Sequence, residues 1–190
     1  MTDMAALWHA EHTNFSRLLD LLEAQVARFH EAGQPNYEVM HDVVSYLREA
    51  PDRFHHPRED VMFAQLAVRD PSMQIPINRL LQEHRVIAVA GEELRSCLED
   101  VVAGTVVPRA HLEAAAAVYL AYYRHHLGVQ ERDLMPRAAQ KLTTQDWQTI
   151  ANVIAPGPDP LFGDRPEARY RELRELLDAR SAAATSPRAR

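Results

Sequence analysis

The chain has 190 residues, 46% of them hydrophobic and 25% charged, which excludes general disorder, collagen and low-complexity chains. That length suffices for one domain with its own core. Its 21 Lys and Arg against 27 Asp and Glu leave a net charge of −6, which argues against nucleic acid and anionic membranes as partners.

No apolar run approaches the roughly 20 residues of a membrane span, and residues 1–6 lack the basic start of a secretory signal. The one cysteine, Cys97, forms no internal disulfide and fits a reducing, cytoplasmic setting, where it reads as a small buried hydrophobe. The unusual count is histidine, at ten. Histidine is the commonest metal ligand and the usual proton carrier near neutral pH.

The first helix is predicted over residues 4–29, where Phe15, Leu18, Leu19, Leu22, Val26 and Phe29 recur at helical spacing. Ala32-Gly33-Gln34-Pro35 stops it. A second begins near Asn36 and carries Val39, Met40, Val43, Val44 and Leu47. Pro51 interrupts this pattern, which resumes through Phe54, Met62, Phe63 and Leu66, as one kinked helix or two in near register. After a turn at Asp70-Pro71-Ser72, a third helix covers residues 75–102 and ends at Gly104. A fourth covers residues 108–142. Thr143 to Asp146 reads as the start of a short helix through Ile154, followed by a turn-rich linker at residues 156–160. A charged helix over residues 165–180 and a fraying, basic end complete the chain. The expected architecture is all-α: an up-down antiparallel four-helix bundle over residues 1–155. Residues 156–190 supply a linker, a short C-terminal helix and a tail packed on it.

Each long helix carries histidine, and two carry a carboxylate close behind. His12 shares a stripe with Phe15, Leu19, Leu22 and Val26, so it points inward. His55 and Glu59 are four residues apart, on one helix face with Met62 and Leu66, whereas His56 pairs by spacing with Asp60 on another face. His84 shares a face with Leu80, Ile87, Gly91 and Leu98. His125, His126 and Glu131 lie on the fourth helix. Taken singly, such histidines are ordinary core or surface residues. An inward carboxylate beside inward histidines from four helices is what a bound metal explains.

In these stretches the sequence resembles the hemerythrin-like, or HHE cation-binding, proteins, over residues 6–163. The matching pieces are Glu11-His12-Thr13-Asn14-Phe15, Phe54-His55-His56-Pro57-Arg58-Glu59-Asp60, Glu83-His84, and His126 followed by Glu131-Arg132-Asp133-Leu134-Met135-Pro136. Asp146-Trp147 and the run from Asp159 to Gly163 are similar to a bacterial subgroup. The resemblance implies a bundle holding two non-haem irons, for which manganese or zinc are substitutes. It places His12 and His55 on one metal, His84 and His126 on the other, with Glu59 and Glu131 bridging.

The sequence departs from the family pattern twice. Leu80 and Ala88 stand where the third motif would supply a further histidine; His125, His9 or Tyr122 are candidates to replace it. Glu131 stands for the usual Asp, five residues beyond His126, which sets the two about 140° apart on an α-helix. A local widening near Gly128 would bring them closer, and His125 is the alternative ligand.

The resemblance and the open ligand position lead to a cytoplasmic di-iron protein that binds or reacts with O2, peroxide or NO. Such chemistry belongs to oxidative or nitrosative stress and iron handling, and peroxide consumption is one activity it allows. The alternatives are a non-enzymatic iron or gas sensor or carrier, and a structural bundle with zinc or no metal. Homo-oligomerisation is left open.

Overall fold

The computed structural model describes residues 4–29, 31, 33–153 and 159–185, and every regular element in them is helical. Helix α1 spans Met4–Ala27 and α2 spans Tyr37–Ala50. A π-helical turn, Pro51–His55, continues α2 into α3, His56–Arg69. A 3-10 turn at Pro71–Met73 leads to α4, Gln74–Val102. Helix α5, Arg109–Val129, passes through a second π turn, Gln130–Leu134, into α6, Met135–Lys141. Helices α7, Thr144–Ala151, and α8, Arg171–Thr185, follow. The expected stop at Ala32, the helix end at Ile154, the turn residues 156–158 and the last five positions, 186–190, lie outside the described residues.

Local chemistry explains most boundaries. The Asn36 side chain accepts from Val39 N–H and caps α2. Thr143 and Asp146 form a reciprocal capping box on α7. Helix α4 ends with Gly104 at φ +86°, Thr105 N–H on Asp100 O and Gly104 N–H on Val101 O, a geometry that needs glycine.

Both π turns sit one residue ahead of a proline pair position, His56-Pro57 and Met135-Pro136. Proline has no N–H, and its ring presses on the carbonyl four residues back. Here the ladder opens by one residue instead: His56 N–H reaches Pro51 O and Met135 N–H reaches Gln130 O. The interrupted second helix is thus one continuous, widened path. The widening expected near Gly128 begins at Gln130.

Helix α1 packs on α2 and α5, α2 on α4, and α4 on α5. The buried apolar residues fall into two clusters. Each long helical run crosses from one cluster to the other at or close to a histidine. Along α1 the order is Trp8, His12, Phe15; along α2 and α3 it is Leu47, His55, Met62. Along α4 it is Leu80, His84, Ile87; from α5 through the second π turn it is Tyr123, His126, Leu134. A polar layer therefore divides the core.

The C-terminal segment adds to the larger cluster. Leu161, Tyr170, Leu173 and Leu177 are buried there, Tyr46 Oη donates to Asp159 Oδ2 (2.7 Å), and α8 contacts α1 and α2. Cys97 is buried in the same cluster.

Gly91 sets how closely α4 approaches its neighbours. A Cβ there would lie 2.6 Å from Arg48 Cδ and 2.8 Å from Tyr119 Cε2. The arginine stem can shift, but the Tyr119 ring is fully buried. Gly91→Ala is expected to destabilise the protein by about 1–3 kcal/mol in urea unfolding, the usual cost of overpacking, despite alanine's better helix propensity. A stabilised variant would show that the two helices can separate freely.

Candidate metal centre

The polar layer is built around Glu59, which is 1% exposed. Four residues after His55, it projects from the same face of α3. Its two oxygens face different partners. Oε1 lies 3.1 Å from His55 Nε2 and 3.8 Å from His12 Nε2. Oε2 lies 3.4 Å from His84 Nε2. The histidines pair across the helices in the same way: His12 Nε2 is 3.1 Å from His55 Nε2, and His84 Nε2 is 3.0 Å from His126 Nε2. Five of the six residues predicted from sequence thus meet in one layer, as two histidine pairs flanking one carboxylate.

Glu131 stands elsewhere. It bonds the outer edge of the His12 ring, Oε1 to Nδ1 at 2.6 Å, and its Oε2 reaches His9 Nδ1 at 3.0 Å. The inner position next to Glu59 is taken by Gln130, 1% exposed, whose Nε2 donates to Glu59 Oε1 (2.6 Å). The spacing explains this. Gln130 is four residues beyond His126 and shares its helix face, whereas Glu131 is five beyond. That spacing is present in the sequence, but glutamine is not a usual metal ligand. His126 is buried, while the His125 side chain is 62% exposed and lies 3.5 Å from Glu83. Tyr122 is exposed. His56 pairs with Asp52, four residues before it (2.8 Å), rather than with Asp60.

Carboxylates behind the rings fix the ring orientations. His55 Nδ1–H donates to Glu11 Oε2 (2.7 Å), which Arg58 also binds through Oε1 (2.5 Å). His12 Nδ1–H donates to Glu131, and His126 Nδ1–H to Glu83 Oε2 (3.2 Å). With the outer nitrogens holding hydrogens, the inner Nε2 atoms are turned toward Glu59. Glu11 belongs to the Glu11-His12 motif, but its bond to a histidine on another helix is a tertiary fact.

The electrostatics are asymmetric. Burial pushes the Glu59 carboxyl up, but the His55 charge and hydrogen bonds from His12 and His55 outweigh it and hold it well below the usual range. Burial pushes His55 down, but Glu59 and Glu11 raise it to about 9. His126 is lowered to about 3, chiefly by burial. Hydrogen bonds from His12 and His9 keep Glu131 near 2, against the opposing effect of its partial burial. At neutral pH the layer holds an ionised Glu59, a cationic His55 and a neutral His126.

These residues suit a cation. Glu59 Oε2 and Gln130 Oε1 are buried acceptors without a hydrogen-bond partner among the described residues, and such groups are costly unless something positive meets them. Imidazole and carboxylate donors in one buried cluster match iron, manganese or zinc. His12, His55 and Glu59 offer ligand atoms all within 4.8 Å of one another, as do His56, Glu59 and His84.

An all-helical chain with this divided core and this His/Glu layer is a cation-binding helical protein by its chemistry. The hemerythrin HHE cation binding domain model matches residues 3–138, and the chain belongs to that family. No curated protein and no solved structure matches it.

In metal-free protein the buried charge of Glu59 depends on His55. Removing one partner of a buried ion pair costs about 3–5 kcal/mol, whereas replacing both with apolar groups is often neutral. His55→Leu is therefore expected to lower metal-free stability by about that amount in urea unfolding. Adding Glu59→Met should recover most of it. A double variant less stable than the single would show that the pair is not coupled.

Proposed function

We propose that the chain is a di-iron protein that binds or reacts with a small ligand: O2, peroxide or NO. The observation that carries this reading is the division of Glu59, one oxygen toward the His12 and His55 pair and the other toward His84. His12 and His55 would hold one iron, His84 and His126 the other, with Glu59 between them. Glu131, which the family resemblance makes a second bridge, orients His12 in this reading, and Gln130 stands beside Glu59. An iron pair supplies reversible one-electron oxidation and open coordination positions for small ligands.

The protein's own residues do the rest. Glu11, Glu131 and Glu83 hold the imidazoles in the tautomer that presents Nε2 inward, a role that raises ligand basicity. The two apolar clusters exclude bulk water from either side of the layer. A surface pocket of about 350 Å3, lined by His9, His12, Arg124 and Glu131 among others, reaches the His12 ring and is wide enough to admit a small ligand.

The reading includes an up-down four-helix bundle. The alternating order in which successive helices cross the two clusters supports it, as does the closed circuit of contacts α1–α2–α4–α5–α1. The described residues up to 153 form that bundle, and those from 159 to 185 cover it. No helix among the described residues is long and apolar enough to cross a membrane. The single cysteine favours a reducing, cytoplasmic setting.

Protein purified from iron-replete cells is expected to carry about two irons per chain, to change its absorption on adding NO or azide, and to speed peroxide decay. Glu59→Ala should lose most of the iron and all three responses, while His125→Ala should keep them. Wild-type protein with full iron but no response to any of these ligands would overturn the small-ligand reading. Protein without iron would overturn the di-iron reading.

A further inference from the structure

We propose that His56 is the fifth histidine of the centre, completing the His84 half-site from α3 in place of the residue missing from α4. This inference rests on the metal reading above and adds a ligand to it.

The position on α4 from which a further histidine would come is closed, because Leu80 and Ala88 stand four residues to either side of His84. The structure offers a different imidazole at the same place. His56, Glu59 and His84 have ligand atoms within 4.8 Å of one another. The rings of His56 and His84 lie 4.4 Å apart between centroids. The three alternatives the sequence offers are placed otherwise: Tyr122 and the His125 side chain are exposed, and His9 is on the outer side of Glu131.

His56 also carries a mark shared by three of the other inward rings. His12, His55 and His126 each have Nδ1 held by a carboxylate, from Glu131, Glu11 and Glu83. His56 Nδ1 is held by Asp52 Oδ1 at 2.8 Å. The His56 side chain is only 21% exposed, so Asp52 fixes a ring already confined. A carboxylate on Nδ1 leaves Nε2 as the donor to a metal and sets the ring direction.

The origin of this placement is the first π turn. Asp52 is its second residue and His56 directly follows its end, so the widened turn carries both the imidazole and its clamp. In the second π turn the matching position is Glu131, which clamps His12 in the same manner. The centre that results is asymmetric. His12 and His55 serve one metal with Gln130 close by, and His56, His84 and His126 serve the other, with Glu59 shared.

The test titrates cobalt(II) into metal-free, full-length protein and follows uptake by calorimetry and visible absorption. Wild type should take up two equivalents. His56→Ala should keep one tight equivalent and bind the second about 100-fold more weakly or worse, with a changed spectrum for that ion. Asp52→Asn, which keeps the imidazole and removes its clamp, should weaken the same ion by about 10- to 100-fold. It also serves if the alanine variant fails to fold, as judged by circular dichroism. His125→Ala should match wild type. Wild-type affinity and spectrum for both ions in His56→Ala, or in Asp52→Asn should the alanine variant not fold, would overturn the assignment of His56 alone. A wild-type chain that takes up no cobalt would overturn the metal reading and this inference together.

Discussion

A charged carboxylate in the middle of a helical core is the constraint around which the protein is organised. Glu59 is almost wholly buried and stays ionised. An isolated buried charge is prohibitively costly, so every long helix contributes a polar group toward it. His12 comes from α1, His55 and His56 from the end of the first π turn and the start of α3, His84 from α4, and His126 with Gln130 from α5 and the second π turn. Behind these stand Glu11, Asp52, Glu83 and Glu131, each fixing one ring. The layer would be a defect in a structural bundle. It is well suited to a site where cations replace the proton that His55 now carries.

The backbone meets this demand at two widened turns. A proline just beyond each turn withholds an N–H and crowds the preceding carbonyl, and the ladder opens by one residue. The extra residue changes which side chains face inward on either side of it. At the first turn His55 and His56 both contribute to the layer. At the second, Gln130 faces Glu59 and Glu131 passes behind His12. The turns account for a feature that an unbroken α-helix lacks, namely consecutive residues that serve one site from two sides.

Much of the helical layout was legible from the spacing of apolar residues, because amphipathic periodicity and Gly or Pro stops act within one segment. The inward direction of His12, His55, Glu59 and His84 was legible for the same reason. Glu131 and His56 were not. Their directions depend on the π turns, whose presence could be suspected from proline but whose position decides faces residue by residue. Gln130 has the right spacing but not the chemistry of a usual metal ligand. The clamps on the imidazoles could not be read at all, since Glu11 with His55, and Glu83 with His126, are contacts between helices far apart in sequence.

The central claim is that Glu59 lies between two metal ions, one facing each carboxylate oxygen. An anomalous difference map at the iron edge, from crystals of iron-loaded protein, tests it most directly. The account predicts two peaks per chain, one beside His12 and His55 and the other beside His84 and His126, with Glu59 between them. A single peak, or peaks away from Glu59, would contradict it.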